Sequence, residues 1–212
     1  MRGTCIPGYG LLPTDFPCTR NDDPALRQLQ NFDPELAKQL MEEAGFPGGE
    51  GFPELTLNTR EGEFGREAEA IQRMLTDNLG IKVTIQDIER ATYTDMRTKG
   101  ELILGFSRWG ADFIDPSNFF DWWDDPDFNS FVNPEFTKLI DEARPMTDAA
   151  ARCEVYHQAE TILATEGPAV FTLYPKIATL YKPYVKDIPL SKTGTLGNRN
   201  DFINTSIYMA QQ

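Results

Sequence analysis

The segment Ser107-Arg108-Trp109-Gly110-Ala111-Asp112-Phe113-Ile114-Asp115-Pro116 places an indole and a carboxylate three residues apart. Trp109 offers a flat apolar face, and Asp112 offers an anion. An indole beside a carboxylate suits an organic cation or a primary amine. The same pair also fits a core tryptophan followed by a turn-capping aspartate, and spacing alone leaves both readings open.

Other chemistry finds less support. The chain has 212 residues and one histidine, His157. A histidine-based triad or a histidine-rich metal site therefore has no partners to draw on. No G-x-S-x-G elbow, Walker loop or G-x-G-x-x-G run occurs. The acidic run Asp121, Asp124, Asp125 and Asp127 lacks the D-x-D-x-D-G pattern of a calcium loop, and Trp122, Trp123 and Pro126 interrupt it. It reads as a solvated acidic loop with its aromatics packed inward. Carboxylate pairs able to serve a hydrolase arise by chance among 33 acidic residues. The chemistry points to a non-catalytic binder with no cofactor and no metal.

The elements that must position these groups alternate between helix and strand, so the class is α/β. Asp33-Pro34-Glu35 is a helix start, with Leu36, Leu40, Met41 and Ala44 on one face and Gly45 at the end. Glu54 to Asn58 alternates like a half-buried strand. Arg66 to Leu79 is a helix with a stripe of Ala70, Ile71, Met74, Leu75 and Leu79, closed by Gly80. Ile81, Val83 and Ile85 form a second strand, and Thr92 to Lys99 a short helix. Leu102 to Phe106 is a third strand, apolar nearly throughout, as expected when both faces are covered. Trp109 and Asp112 follow that strand, on the side of an α/β sheet where ligands bind. Residues 107–133 read as an aromatic and acidic loop. Asn133-Pro134 starts a helix carrying Phe136, Leu139, Ile140 and Ala143. Thr147-Asp148 starts a longer one with Ala151, Val155, Ala159, Ile162 and Leu163 inward. Ala169 to Tyr174 and Ile177 to Tyr181 suggest a hairpin, and Ile203, Ser206 and Tyr208 a late strand. The organisation is an irregular lead-in over 1–31, an α/β ligand-binding body over 32–181, and a tail over 182–212.

Composition narrows the partners. Asp plus Glu total 33 against 20 Lys plus Arg, a net charge of −13. Such a surface repels nucleic acid and anionic membranes. No stretch approaches the about 20 apolar residues that span a bilayer. Met1-Arg2-Gly3-Thr4 leads straight into Cys5 without an export signal, so the chain reads as cytosolic or as a piece of an exported protein. Cys5 and Cys18 flank a loop whose closure would stabilise an exported protein by about 3 kcal/mol. Two reduced thiols fit a cytosolic one, and the choice stays open. Cys153 lies in a helical pattern and is expected as a buried thiol.

Several segments in order resemble the peptide/nickel class of extracellular solute-binding proteins of ABC transporters, the oligopeptide- and dipeptide-binding proteins. They are Phe32-Asp33-Pro34-Glu35-Leu36-Ala37-Lys38-Gln39-Leu40 with Glu43-Ala44-Gly45-Phe46-Pro47; Asn78-Leu79-Gly80-Ile81-Lys82-Val83; Trp109 to Pro116; Asn133-Pro134-Glu135-Phe136 through Ile140-Asp141-Glu142-Ala143; and Tyr156 with Ala159-Glu160-Thr161-Ile162-Leu163. The resemblance implies a periplasmic-binding-protein-like lobe, a mixed sheet flanked by helices with irregular terminal segments. It implies the carboxyl-terminal portion of a two-lobed clamp, whose tail returns to an amino-terminal lobe not in view. It implies uptake of a short peptide or another amine-bearing small molecule in the periplasm or outside the cell, with the transporter's membrane subunits as partners. In the family's peptide binders an aspartate at the position of Asp112 pairs with the ligand's α-ammonium. A tryptophan at the position of Trp109 packs on the ligand, and the backbone at Gly110-Ala111 pairs with an extended peptide.

Three positions depart from that pattern. Arg90 stands where some oligopeptide binders have a pocket tryptophan. Phe64 and Phe106 stand near the places of basic residues that hold the ligand carboxylate. Carboxylate recognition therefore does not carry over, and Arg90 and Arg108 are the candidates to replace it. The alternative function is a stand-alone interaction or ligand-sensing module derived from the same lobe. A lone lobe would expose an apolar face and self-associate.

Overall fold

The computed structural model describes residues 5–176, 182, 185–186 and 208–209. The chain runs through β1 (Cys5–Pro7), α1 (Pro24–Leu29), α2 (Pro34–Glu43), β2 (Leu55–Arg60), α3 (Gly65–Leu79), β3 (Val83–Ile88), α4 (Arg90–Thr98) and β4 (Leu104–Gly105). It continues through α5 (Ser117–Asp124), α6 (Pro134–Ala143), α7 (Ala149–Glu166), β5 (Leu173–Pro175), β6 (Val185–Lys186) and β7 (Tyr208–Met209). Two compact units result. The first comprises Met1–Gln30, Gly110–Asp121 and Pro134–Gln212, the second Asn31–Trp109 and Trp122–Asn133. The stretch 32–181, expected as one body, is thus shared by both units. The tail over 182–212, with Ile203 and Ser206, lies almost wholly outside the described residues.

The second unit is built on a parallel sheet. β2 is central, with β3 on one side and β4 on the other, in register Leu57 to Ile85 and Leu57 to Leu104. Leu57 and Val83 meet Ala68 of α3 and Ile81 in the core, joined by Ile71, Leu75 and Leu79. Ala70 and Met74, expected in that stripe, turn outward, because the stripe rotates onto Ala68. Gly80 ends α3 at φ +69, a conformation glycine adopts without a Cβ penalty. Of the expected face of α2, Met41 reaches the core, while Leu36 and Leu40 are half exposed. The third strand also differs from expectation. Only Leu104 and Gly105 enter the sheet, and Ile103 is 85% exposed. β4 is an edge strand of this sheet, and Leu104 alone of its two residues turns a side chain onto the core.

In the first unit the lead-in is ordered rather than irregular. β1 pairs antiparallel with β5, Ile6 opposite Tyr174. The second half of the expected hairpin, Ile177 to Tyr181, lies outside the described residues. Asp23 caps α1, with Pro24 in its first turn. α7 carries the core of this unit, burying Val155, Tyr156, Ala159, Glu160 and Leu163, while Ala151 is exposed. Phe120 stacks on Tyr156 at 4.5 Å and lies 6.4 Å from Phe136 of α6.

The cysteines pair otherwise than expected. Cys18 is bonded to Cys153, with Cα atoms 5.1 Å apart and 135 residues between them in sequence. Cys5 lies outside this bridge, in β1 opposite Pro175 of β5. The expected loop over 107–133 contains α5. Asp115-Pro116 starts it as Asp33-Pro34 starts α2: the Asp115 side chain accepts the Ser117 amide at 2.9 Å.

Candidate functional site

The sheet of the second unit ends on its carboxyl side in Arg60, the last residue of β2, and in Phe106 to Trp109, which follow β4. This edge carries aromatic faces and guanidinium groups. Phe64 and Phe106 are stacked, 5.0 Å apart with planes 8° from parallel. Arg108 lies over Phe64 with its guanidinium carbon 4.9 Å from the ring centre, and Arg60 lies 5.7 Å from it. Phe64 caps α3 at φ +62, where an L side chain costs about 1–2 kcal/mol. The backbone strain is held in place by packing, an arrangement concentrated at ligand sites.

Trp109 is 37% exposed and packs edge-on against Phe128 at 5.6 Å, with Trp122 at 6.2 Å. It is neither a buried core tryptophan nor fully exposed: one side is packed and the other meets solvent. Below it, Tyr93 of α4 is buried, and its hydroxyl donates to the Phe106 carbonyl at 2.5 Å. Burial pushes the Tyr93 hydroxyl up in pKa. Gly105 has no room for a side chain, since a Cβ there would meet the Tyr93 hydroxyl at 2.5 Å.

Gly110, Ala111 and Asp112 belong to the first unit. Asp112 is exposed, and its amide donates to Asn118 Oδ1 at 3.3 Å. Asn118 is buried at the start of α5. Asp115 anchors the same loop. Arg152 of α7 grips its two oxygens at 2.7 and 2.9 Å and donates to the Tyr156 hydroxyl and the Ala143 carbonyl. Burial raises the Asp115 carboxyl, but the bonds from Arg152 and the Ser117 amide outweigh it and hold it below its usual range. A partly buried, bidentate arginine–carboxylate pair fixes geometry as well as charge. The loop is therefore set from below, with the Asp112 carboxylate displayed above it.

Arg90 belongs to the second unit. It is exposed in the first turn of α4 and lines a shallow depression with Glu89, Thr94, Asp95 and Thr98. Two acids in that lining make it a poor receiver of a carboxylate. Arg108, by contrast, is brought onto Phe64. Sequence reasoning missed Arg60 and Arg152 as site or supporting residues, and named Phe64 only as a departure from the resembled pattern. The signals for Arg60 and Phe64 were a strand end and the following turn. No helix among the described residues is long and apolar enough to cross a membrane.

Comparisons with known proteins add the following. A family model described as bacterial extracellular solute-binding proteins, family 5 middle, matches residues 1–131. The periplasmic oligopeptide-binding protein OppA of Salmonella typhimurium is 30% identical over 155 residues, covering 71% of this chain and 28% of that protein. The crystal structure of an oligopeptide-binding OppAIV from Borrelia burgdorferi matches with a TM-score of 0.71 at 30% identity, over 80% of this chain and 34% of that one. The binding protein DppA of Helicobacter pylori, solved with the peptide STSA, matches with a TM-score of 0.76 at 24% identity, over 99% of this chain and 40% of that one. This likeness shows the fold. The chain spans about a third of the length of the curated relatives it matches.

Proposed function

This chain belongs to the bacterial extracellular solute-binding proteins of family 5, and we propose that it forms part of a clamp that captures a solute for an ABC transporter. The solute is a short peptide or another amine-bearing small molecule. Capture takes place in the periplasm or outside the cell, and the membrane subunits of the transporter receive the loaded, closed form. Ligand favours closure by its differential affinity for the closed state. The protein binds and releases without catalysing a reaction.

The observation that carries this reading is the loop of Gly110 to Pro116. Its Asp112 carboxylate is exposed, while Asn118 and the Arg152–Asp115 pair fasten the backbone beneath it. A carboxylate on a fixed loop is suited to receive an α-ammonium group. Gly110 has open space where a Cβ would stand, so an extended peptide backbone has access to this segment. Trp109 supplies an apolar wall, and Arg108 and Arg90 carry positive charge.

The test is calorimetry with Ala-Ala-Ala on the protein as its own gene encodes it. Breaking a desolvated ammonium–carboxylate pair costs about 3–5 kcal/mol, so Asp112→Ala loses binding by 100-fold or more. Unchanged affinity in Asp112→Ala removes this residue from the ligand site.

A further inference from the structure

Residues 9–17 of the first unit form a strap that is fixed at both ends. At one end the Gly8 amide donates to the Thr172 carbonyl at 3.1 Å, next to the pairing of β1 with β5. At the other end Cys18 is bonded to Cys153 of α7. Between these anchors, side chains of β5 and α7 hold the strap. The Tyr174 hydroxyl donates to the Gly10 carbonyl at 2.6 Å, and the Leu11 amide donates to Glu160 Oε1 at 2.7 Å. The fit is close, since a Cβ on Gly10 would meet Glu160 Oε1 at 2.6 Å.

Glu160 is 1% exposed, and its Oε2 has no hydrogen-bond partner among the described residues. A dry, unanswered oxygen is far costlier on a carboxylate ion than on the neutral acid. Arg20 and Asp23 of the lead-in and Tyr174 of β5 act on this group. Arg20 is spent on Asp23, the His157 carbonyl and the Thr161 hydroxyl. His157, also on α7, rests its Nε2 against the Cys18 carbonyl at 3.1 Å. Burial outweighs the strap's amides and Arg20 and raises the Glu160 carboxyl from 4.5 to about 7. Burial also pushes the Tyr174 hydroxyl up, so that donor keeps its proton at neutral pH.

The strap reaches the candidate site. Leu12 and Phe16 are buried, and Phe16 packs edge-on against Phe119 at 5.2 Å. Phe119 follows Asn118, whose Oδ1 accepts the Asp112 amide. We propose that Glu160 is a proton-operated latch: protonated, it holds the strap against α7, and once its proton passes to water the strap lifts and Phe16 leaves the support of the Asp112 loop. The fixed ends confine this opening to the strap. The link to Asp112 rests on the solute-binding reading and deepens it, because the proton then regulates the loop that receives the solute.

Amide hydrogen exchange on the protein as its own gene encodes it tests the latch. With intrinsic rates divided out, protection of the Leu11 amide is expected to fall about tenfold from pH 6 to pH 8, as a carboxyl raised from 4.5 to about 7 requires. Leu11 is also expected to be less protected than Ala159, buried in the middle of α7. Glu160→Gln, neutral at every pH, abolishes the fall. Should that variant not fold, Gly10→Ala crowds Glu160 Oε1 and is expected to bring Leu11 at pH 6 down to the wild-type level of pH 8 or below. The latch is overturned by a flat wild-type profile, by a fall kept in Glu160→Gln, by a Leu11 as protected as Ala159, or by unchanged protection in Gly10→Ala. Ala-Ala-Ala at about 100 times its dissociation constant reads the link to the site, raising Leu11 protection about 100-fold where capture requires the closed strap. Calorimetric binding without that gain overturns the link and leaves the solute reading standing. No binding of Ala-Ala-Ala dismisses the peptide reading and the link with it, while the pH profile still decides the latch.

Discussion

Two arginines of the first unit, Arg20 and Arg152, are held by several acceptors each, whereas Arg97 and Arg108 of the second unit are held against aromatic rings. Arg152 donates to both oxygens of Asp115, to the Tyr156 hydroxyl and to the Ala143 carbonyl. Arg20 joins Asp23 to the His157 carbonyl and the Thr161 hydroxyl. Arg97 and Arg108 lie over Trp122 and Phe64 instead. One residue type therefore does two jobs. Where carbonyls and carboxylates surround it, the guanidinium fastens segments distant in sequence. Where π faces surround it, its donors stay available to something that arrives later.

The first unit's fastening is broken most by removing its covalent tie. The bridge from Cys18 to Cys153 closes a long loop across 135 residues, and such closure contributes about 4–5 kcal/mol through the unfolded chain. Cys153→Ser is expected to lower stability by that amount in urea titration. An unchanged midpoint would mean that noncovalent contacts alone hold the lead-in to α7.

A second fastener is Glu160, buried on α7. Its Oε1 accepts the Leu11 amide at 2.7 Å, and Oε2 is buried without a partner. Arg20, Asp23 and Tyr174 are the charged or titratable groups that act on it. Burial raises its pKa from 4.5 to about 7, against the opposing amide bonds and Arg20. The folded state thus holds this proton more tightly than the unfolded chain. The stability it contributes is fully present below about pH 4.5 and is lost as pH rises toward 7, by about 3 kcal/mol. Glu160→Gln removes that downward slope in denaturation measured from pH 5 to 8. A slope identical to wild type would assign the pH dependence elsewhere.

The smallest effect separates the two regions most directly. Arg152→Gln leaves the Asp115 carboxylate with an unanswered charge and is expected to cost about 2–3 kcal/mol. Arg97→Gln breaks no hydrogen bond among the described residues and removes the contact over the Trp122 ring, with an expected loss of about 0.5–1 kcal/mol. Thermal unfolding of the two variants gives the comparison, and equal losses would erase the distinction.

Much of the fold is readable from one recurring dipeptide. Asp33-Pro34 and Asn133-Pro134 mark the starts of α2 and α6, because a short polar cap precedes a residue that needs no amide hydrogen. Asp23-Pro24 and Asp115-Pro116 carry the same signal for α1 and α5. There it was masked by irregular flanks and by the aromatic run Phe119-Phe120-Asp121-Trp122-Trp123, whose residues favour helix weakly. The Cys18–Cys153 pairing was not legible, since it depends on the path of the lead-in across α7. In the site, Trp109 and Asp112 stood out because their partners are near in sequence. Arg60 and Arg97 did not, because 36 residues of chain, including α3 and β3, are folded between them. Glu160 was hidden for another reason: a carboxylate is a poor candidate for a core position until the amide it serves is known.

The order of the cysteines along the chain bears on how the protein matures. Cys5 and Cys18 emerge together from a ribosome or a translocation pore, and Cys153 follows far behind. Short loops close at lower entropic cost than long ones. The loop of lower closure cost is the one from Cys5 to Cys18, which is not the pair of the finished fold. A chain that had joined Cys5 to Cys18 reaches the finished pair by thiolate exchange, with Cys153 displacing Cys5 from Cys18.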